Sequence, residues 1–432
     1  MPSAPRIASR LLAFLVFSTL VCAQPRKDRT VVLISLDGFP AFALEDPKLP
    51  VPTLRKLIRE GAFAPRMRGT NPTVTWAAHT TMVTGVTPSK HHVIYNGLLV
   101  RQGPDRTGKV EPWRNQPEWV KAPTVYDVAY NSGLTTAEVD WVAIYAAPTI
   151  TWAFPEIPSV DGKVEKEMIA AGLVAPADIS SFRAGIITWR DFIWTEAAAF
   201  ILGTHKPNLL LYHPLNLDST HHRYGPRSLA SYNAMEYADK QVARLVEAAR
   251  DAGMLDRTTF LVVADHGFRT VKKTINLSVV LRDAWSMPEG GTAMVFLKDP
   301  AKHAEVKESL RSIEGVARIY EPAEFHDLGL PTPAESDQAP DLLLAAKPDY
   351  TFGGAATGAV VTDVPAGSTP GSHGYLASDP DMETFLIAWG AGIRPGVRLG
   401  PVSSLDIAPT IAGLLGLAMP GTTGKPLAGL LK

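Results

Sequence analysis

The chain has 432 residues, of which 46% are hydrophobic and 20% are charged, a composition typical of a large folded protein and not of a disordered or fibrous one. Its formal net charge is −1, and this balance argues against binding long nucleic acid through a general electrostatic field. Small phosphorylated molecules are compatible with the same balance.

The first 23 residues predict a signal peptide, because Arg6 and Arg10 precede a short apolar run that ends near Ala23. The run is shorter than the ~20 apolar residues that span a bilayer, so an uncleaved anchor is the less favoured alternative. Cleavage after Ala23 would also remove Cys22, the only cysteine. We therefore expect an exported protein, periplasmic or secreted, without a stable membrane span, whose metal ligands are histidines and carboxylates.

Four short apolar runs, rich in β-branched or leucine side chains, predict strands that are buried on both faces. The runs are Thr30 to Leu36, Asn208 to Tyr212, Thr258 to Ala264 and Thr384 to Trp389. Helical periodicity separates them and is clearest from Leu229 to Ala252. Strands that alternate with helices predict an α/β protein, with a largely parallel sheet covered by helices on both faces.

The segment from about 270 to 370 is less regular than the rest. It contains apolar runs typical of short strands at Ala293 to Leu297 and Asp341 to Ala346, and a helical pattern from Ala301 to Ile313. We interpret it as a smaller α+β lobe inserted into one catalytic domain that covers residues 24–432. The sequence leaves the role of this lobe and the oligomeric state open.

Acids and histidines follow three of the four apolar runs. Asp37 closes the first run, Asp218 follows the second, and Asp265-His266 closes the third. In parallel sheets, ligands bind beyond the carboxyl ends of the strands. With His222 and His373 the set contains three Asp and three His, which suits two zinc ions at a site without cysteine.

Each of these residues also has a simpler explanation. An Asp at a strand end is commonly a turn or helix cap, and Asp218 and His222, four residues apart, could form a helical surface pair. His373 lies in a glycine-flanked turn, where loop histidines are common. Asp265-His266 is harder to explain in this way, because it ends a buried strand where paired polar side chains need partners.

Thr75 is the candidate nucleophile, at the start of a segment with helical character that ends near Gly85. The alternative role of a threonine at this position is to cap the helix. The same position also points a hydroxyl toward the positive end of the helix, where phosphate binds readily. Because a free hydroxyl is a poor nucleophile at neutral pH, Thr75 would need metal ions to lower its pKa.

Five stretches in this order resemble the alkaline-phosphatase superfamily, and within it the nucleotide pyrophosphatase/phosphodiesterase family. The matching stretches are LISLDGF at 33–39, PTVTWAAHTTMVTGVTPSKH at 72–91, DSTHHRYGP at 218–226, ADHGF at 264–268 and GSHGY at 371–375. The resemblance implies an alkaline-phosphatase-like three-layer sandwich that covers nearly the whole mature chain. His221 departs from the pattern, because it stands where the family usually has glycine.

The resemblance also implies a division of labour among the site residues. One zinc would be held by Asp37, Thr75, Asp265 and His266, and the other by Asp218, His222 and His373. Asn96 matches the family asparagine whose amide donates to a phosphoryl oxygen. The implied reaction has two steps, in which the Thr75 hydroxyl attacks phosphorus and water then hydrolyses the phosphothreonine.

The region after the next predicted strand favours a diester over a monoester substrate. Monoesterase relatives place Lys and Arg there to neutralise the additional phosphate charge, whereas residues 136–142 contain no cation. Lys163 and Lys166 are close enough in sequence to act as a substitute clamp, which keeps the monoesterase alternative open.

Trp76 stands where diesterase relatives stack an aromatic ring on the nucleobase, with Trp141 or Tyr145 as the opposing wall. The alternative is that Trp76 only packs the nucleophile helix. We expect a nucleotide-like phosphate ester as substrate and a phosphodiesterase as the function. The alternatives are an alkaline phosphatase acting on monoesters and a catalytically inactive metal-containing nucleotide-binding protein. A sulfatase is disfavoured, because position 75 is neither Cys nor Ser.

Overall fold

The computed structural model describes residues 24–102 and 107–432, so the predicted signal peptide lies outside the described residues. Within this part of the chain, a nine-stranded sheet crosses the molecule in the order β19-β2-β18-β8-β1-β7-β5-β6, with β20 paired to β2. Its strands are β1 (Thr30–Ser35), β2 (Ala62–Arg68), β5 (Thr136–Val139), β6 (Trp152–Phe154), β7 (Leu209–Tyr212), β8 (Thr258–Val263), β18 (Thr384–Gly390), β19 (Val397–Arg398) and β20 (Val402–Ser403).

The centre of this sheet is parallel. β1 pairs in parallel with β7 and β8, and β5 pairs in parallel with β7 and β6. The carboxyl ends of these five strands therefore meet at one edge of the sheet. The fourth predicted run also forms a strand, β18, but it is antiparallel to β8 and β2. The prediction of a largely parallel sheet is confirmed. Because β18 is antiparallel, its carboxyl end lies at the opposite edge of the sheet.

Helices cover both faces of the sheet, and the side chains of β1 alternate between the two cores. Val32 and Ile34 pack with α1, α8 and α10, whereas Val31 and Leu33 pack with α2, α5 and α12. The helices of the described residues outside the small sheets are α1 (Pro52–Glu60), α2 (Thr75–Thr84), α3 (Pro88–His91), α4 (Gln116–Trp119), α5 (Val125–Asn131), α6 (Lys163–Ala170), α7 (Pro176–Ser180), α8 (Ile187–Thr204), α9 (Asn216–Tyr224), α10 (Leu229–Asp251) and α12 (Ile407–Leu414). The result is a three-layer α/β architecture.

Smaller sheets lie beside the central one. The strands are β3 (Leu98–Gln102), β4 (Thr107–Glu111), β9 (Arg269–Thr270), β10 (Lys273–Ile275), β11 (Ala284–Glu289), β12 (Thr292–Leu297), β13 (Val316–Tyr320), β14 (Leu342–Ala346), β15 (Tyr350–Phe352), β16 (Val361–Asp363) and β17 (Gly371–Ser372). One sheet has the order β11-β12-β14-β13 and another has the order β15-β10-β16. These two sheets fall within the range assigned to the inserted lobe, whose boundaries stay a prediction.

The helix expected from Ala301 to Ile313 is shorter than its sequence pattern. It forms α11, His303–Arg311, preceded by a 3-10 turn at Pro300–Lys302. The Asp299 side chain accepts a hydrogen bond from Ala301 N and so caps this tighter turn before the α-helix begins. Within residues 24–102 and 107–432, no helix combines the length and the apolar character required to cross a membrane.

Candidate active site

The carboxyl edge of the parallel strands carries most of the predicted metal ligands. Asp37 lies two residues beyond β1, and Asp265 and His266 lie two and three residues beyond β8. Helix α9, which follows β7, carries Asp218 and His222 on successive turns. His373 reaches the same place from the turn after β17.

Thr75 is the first residue of α2 and is 8% exposed. The N-cap residue is Val74, and no side chain caps the helix, so the interpretation of Thr75 as an N-cap is wrong. Its Oγ1 atom lies 3.4 Å from His266 Nε2. The hydroxyl therefore lies at the amino end of a buried helix, beside the side chains that follow β8.

Asp218, His222 and His373 form one group of candidate ligands, whose ligand atoms all lie within 4.8 Å of one another. His222 Nε2 lies 3.4 Å from Asp218 Oδ1, and His373 Nε2 lies 3.8 Å from the same oxygen. These distances bring together the three residues expected at one zinc, and His373 adds a third partner to the helical pair of Asp218 and His222.

A second group gathers around His266. Its Nε2 atom lies 3.2 Å from Asp265 Oδ2 and 3.4 Å from Asp37 Oδ1. Ligand atoms of Asp37, Asp218 and His266 also lie within 4.8 Å of one another, so Asp218 joins the two groups. The rings of His266 and His373 stack with their centroids 3.7 Å apart, which places the groups side by side.

The carboxylates of both groups fit cations. Asp37 Oδ1, Asp218 Oδ1 and Asp265 Oδ2 are buried and have no hydrogen-bond partner. A buried carboxylate oxygen without a partner is costly unless a cation neutralises it. Three such oxygens that converge with imidazole nitrogens therefore form a donor set suited to divalent metal ions, and oxygen with imidazole suits zinc.

The histidines present the correct ring nitrogen to such ions. His373 Nδ1 lies 2.9 Å from the carbonyl oxygen of Thr73, and His266 Nδ1 lies 3.2 Å from that of Gly267. A proton on Nδ1 leaves the Nε2 lone pair free for a metal. Burial lowers the pKa of His266 to about 4 and that of His373 to about 3, so both rings are neutral at neutral pH.

The acids at the site respond to different neighbours. Burial, followed by the charges of Asp265 and Asp218, raises the pKa of Asp37 well above its usual value. Burial acts in the same direction on Asp218, but His222 and the other neighbouring histidines lower its pKa below the usual value. Carboxylates this close together repel one another without a cation, which again favours metal ions between them.

Two buried histidines that the sequence analysis did not select lie behind these ligands. His79 Nδ1 lies 2.7 Å from Thr75 O and 3.7 Å from Asp265 Oδ2. His213 Nε2 lies 3.0 Å from Asp37 Oδ2. Ligand atoms of His79, His213 and Asp265 form a third close group. For His213 the signal was present, because it directly follows the apolar run of β7, as Asp265 follows that of β8.

His221, which departs from the family pattern, is buried and turned away from the ligand groups. Its Nδ1 atom lies 3.1 Å from Gly38 O, and its ring meets the edge of Phe268 at a centroid distance of 5.0 Å. Gly38 in turn donates its backbone N–H to Asp265 Oδ1 at 3.0 Å. The additional imidazole therefore packs against the turn that holds Asp265 instead of entering the set of ligands.

The predicted substrate-binding residues lie next to Thr75. Asn96 Oδ1 accepts a hydrogen bond from Trp76 N at 3.1 Å, and the Asn96 side chain is exposed at the site. Trp76 is only 7% exposed and packs on Trp119, with ring centroids 5.5 Å apart. Trp76 also lines a cavity of about 310 Å³, together with Trp141 and Tyr145.

Lys163 and Lys166 do not form the substitute clamp that the sequence left open. Lys163 Nζ lies over the ring of Trp152, 5.4 Å from its centroid, at the amino-terminal end of β6. Lys166 is exposed and lies 3.4 Å from Asp161. Neither lysine lines the cavity beside Trp76. Trp152 is the first residue of β6, so Lys163 lies at the edge of the sheet opposite the carboxyl edge that carries the candidate ligands.

A parallel sheet with helices on both faces, and with Asp, His and Thr gathered at its carboxyl edge, is an alkaline-phosphatase-like arrangement. The family model for type I phosphodiesterase/nucleotide pyrophosphatase matches residues 31–376. The chain belongs to this family.

Individual proteins also match the chain, at low sequence identity. Bis(5'-adenosyl)-triphosphatase ENPP4 of Bos taurus is 23% identical over 433 residues, which cover 94% of this chain and 84% of that protein. Venom phosphodiesterase of Macrovipera lebetinus is 25% identical over 254 residues, 59% of this chain. The matched part is only 27% of the venom enzyme, so the chain spans about a quarter of that relative's length.

Solved structures share the fold. Murine ectonucleotide pyrophosphatase/phosphodiesterase 5 superposes with a TM-score of 0.73 at 17% identity, covering 94% of this chain and 100% of that one. An inactive variant of the same murine protein, in complex with AMP, superposes with a TM-score of 0.74. The expected alkaline-phosphatase-like fold is therefore confirmed.

Proposed function

We propose that this protein is an exported two-zinc phosphodiesterase/nucleotide pyrophosphatase that works through a covalent phosphothreonine. The observation that carries the proposal is the convergence of the two ligand groups beside the Thr75 hydroxyl. In this proposal Asp37, Asp265 and His266 hold one zinc with Thr75. Three further ligands, Asp218, His222 and His373, hold the other.

When bound, the zinc ions would lower the pKa of the hydroxyl and neutralise charge on the phosphoryl group. The position of Thr75 supports its role as the nucleophile, because it begins a helix whose amino end favours an anion. Asn96 binds the first turn through Trp76 N and so holds its amide at the mouth of the site. That amide is the donor we assign to a phosphoryl oxygen.

The cavity lined by Trp76, the residue after Thr75, favours a diester. Among the described residues that line it there is no Lys or Arg to neutralise the additional charge of a monoester. Trp76, Trp141 and Tyr145 offer aromatic surface to the group esterified to the phosphate. A nucleotide-like group is compatible with this surface, and the murine relative described above binds AMP.

A substrate comparison tests the proposal. We expect bis-p-nitrophenyl phosphate and a nucleotide p-nitrophenyl ester to be hydrolysed much faster than p-nitrophenyl phosphate. Replacing Thr75 with Ala should reduce the rate by at least about a thousandfold, because no other hydroxyl occupies its position. Thr84→Ala, at the other end of α2, is the matched control and should retain activity. A preference for the monoester would favour the alkaline-phosphatase alternative, and full activity of Thr75→Ala would exclude the phosphothreonine.

Metal content gives an independent test of the cofactor. Inductively coupled plasma analysis of active protein should find about two zinc ions per chain, and chelation should abolish activity that zinc restores. Active protein without zinc would refute this part of the proposal. Bound zinc without hydrolysis of any ester would instead favour the inactive nucleotide-binding alternative.

Export rests on the predicted signal peptide. We expect the protein to be recovered from outside the cytoplasm with Gln24 as its first residue, as determined by amino-terminal sequencing. Recovery of a cytoplasmic chain that begins at Met1 would contradict this part of the proposal.

A further inference from the structure

The cavity that Trp76 lines is bordered by both aromatic and acidic side chains. Trp76, Trp113, Trp141 and Tyr145 contribute rings, and Glu138 and Glu156 contribute the charged groups of the lining. Glu138 lies in β5 and Glu156 lies just beyond β6, so both acids come from the carboxyl edge of the parallel sheet. They are therefore on the same side of the sheet as Thr75.

Glu138 offers an oxygen to the cavity. The residue is 3% exposed, and its Oε2 atom accepts a hydrogen bond from Trp141 N at 3.1 Å. Within the part of the chain that the structure describes, no hydrogen bond reaches its Oε1 atom. A buried carboxylate that lines a cavity with one oxygen unused points to a ligand that donates hydrogen bonds or carries positive charge.

Two further acidic side chains interact with Glu138. Asp140 is fully buried and neither of its carboxylate oxygens has a partner, and Glu165 Oε2 is also buried without one. Arg190 and Arg183 are the cations that act on Glu156; the Arg190 guanidinium lies over the ring of Trp194, 4.7 Å from its centroid, and one of its nitrogens lies 4.0 Å from Glu156. Acidic side chains thus outnumber basic ones around the cavity, and each of them that ionises adds a negative charge that a cation would offset.

The pKa values of both lining acids are raised, and a cation in the cavity would lower them. Burial, with a smaller contribution from the charge of Glu165, raises the pKa of Glu138 to about 8, although the hydrogen bond from Trp141 N opposes the change. Burial also raises the pKa of Glu156, although Arg190 and Arg183 oppose the change. A positive group that enters the cavity favours the ionised carboxylates, so binding and ionisation stabilise each other.

We propose that Glu138 and Glu156 select phosphodiesters whose organic group carries an ammonium ion. The inference rests on the proposed phosphodiesterase function and names the chemistry of the group that the cavity takes. Aromatic rings alone would accept a neutral group of similar size, whereas a cation gains from the ring faces and from both carboxylates.

Two esters with the same leaving group test this selection. In p-nitrophenyl 2-aminoethyl phosphate and p-nitrophenyl propyl phosphate, an ammonium group is exchanged for a methyl group of similar size. For the wild-type zinc enzyme at pH 8 we expect kcat/KM to favour the aminoethyl ester by about tenfold, the size of one hydrogen bond to a charged group. In Glu138→Gln and in Glu156→Gln the ratio should fall to within about twofold of one.

The propyl ester reports whether the variants remain intact. A general loss of activity in a variant lowers kcat/KM for both esters and cancels in their ratio, and Glu60→Gln, at an exposed position at the end of α1, should leave the ratio at its wild-type value. Equal rates for the two esters in the wild type would overturn the inference, as would a preference that survives both variants. Failure to hydrolyse bis-p-nitrophenyl phosphate would instead contradict the proposed function itself.

Discussion

His213 lies directly behind Asp37, and its ring is held from both sides. Its Nε2 atom lies 3.0 Å from Asp37 Oδ2, and its Nδ1 atom lies 2.9 Å from Asp140 O. The other oxygen of Asp37, Oδ1, faces His266 and has no hydrogen-bond partner. This arrangement orients the carboxylate, so that one oxygen is fixed by the protein and the other is left for a metal ion.

We predict that His213→Gln weakens zinc binding by about 10- to 100-fold, the usual cost of losing a group that orients a metal ligand. Competition with a zinc chelator measures this dissociation constant. His326→Gln is the matched control, because His326 is exposed, contacts Glu335 and belongs to none of the ligand groups. An unchanged zinc affinity in His213→Gln would show that Asp37 does not need this partner or does not bind zinc.

A second prediction for a single residue concerns how Glu138 makes stability depend on pH. Burial raises its pKa to about 8 in the folded protein, against an ordinary value of 4.5. Between these two pH values the folded state holds more protons than the unfolded state, so this residue's contribution to stability is lost as the pH rises through the window. In Glu138→Gln that loss is absent.

The free energy of unfolding, measured in urea between pH 5 and pH 9, checks this prediction. As the pH rises through the window, the free energy of unfolding of the variant should increase relative to that of the wild type by up to about 1.4 kcal/mol per pH unit. Above the window the difference should stay constant. A difference between the two proteins that does not change with pH would contradict the protonation of Glu138 in the folded state.

At the scale of elements, the turn that carries His373 depends on Gly374. Its φ angle is +76°, and a Cβ atom built there would lie 1.7 Å from Glu289 O in β11. Gly374 N also donates to Thr73 O at 3.1 Å, two residues before Thr75. The turn is therefore fixed between β11 and the segment that leads into α2, and His373 is placed with it.

We expect Gly374→Ala to lose zinc from the group of Asp218, His222 and His373 and to be clearly less stable than the wild type. Gly172→Ala is the matched control, because Gly172 has nearly the same φ, +72°, and a Cβ atom added there would meet nothing within 4 Å. The loss of stability in the control measures only the cost of holding alanine in the left-handed backbone conformation, about 1 to 2 kcal/mol. Equal losses of stability in the two variants, with zinc retained, would show that the close approach to β11 does not matter.

The strands and long helices were predictable because each has a local cause. The apolar runs that became β1, β7, β8 and β18 are buried on both faces, and α10 follows its helical period to within one residue. The antiparallel direction of β18 was not predictable, because direction depends on the path of the chain between strands and not on the run itself. The shortened α11 depended on a cap at Asp299 that competes with the helical pattern.

At the scale of the whole molecule, the strand order assembles the site. β1 lies between β7 and β8, so the loops after these three strands meet, although the first is separated from the other two by more than a hundred residues of sequence. The set of ligands was predictable from residue types after the runs and from the family resemblance. The position of His79 and the acidic lining of the cavity were not, because lone buried polar residues have no periodic signal and their partners come from distant elements. His213 did have a signal, since it directly follows the apolar run of β7.

Zinc-edge anomalous diffraction from crystals of the active protein tests the central claim most directly. We predict two zinc peaks, one about 2.0 to 2.2 Å from ligand atoms of Asp218, His222 and His373, and one at the same range from Asp37, Asp265 and His266. The Thr75 hydroxyl should lie beside the second peak. Zinc bound elsewhere on the chain, or a Thr75 side chain directed away from both peaks, would contradict the account.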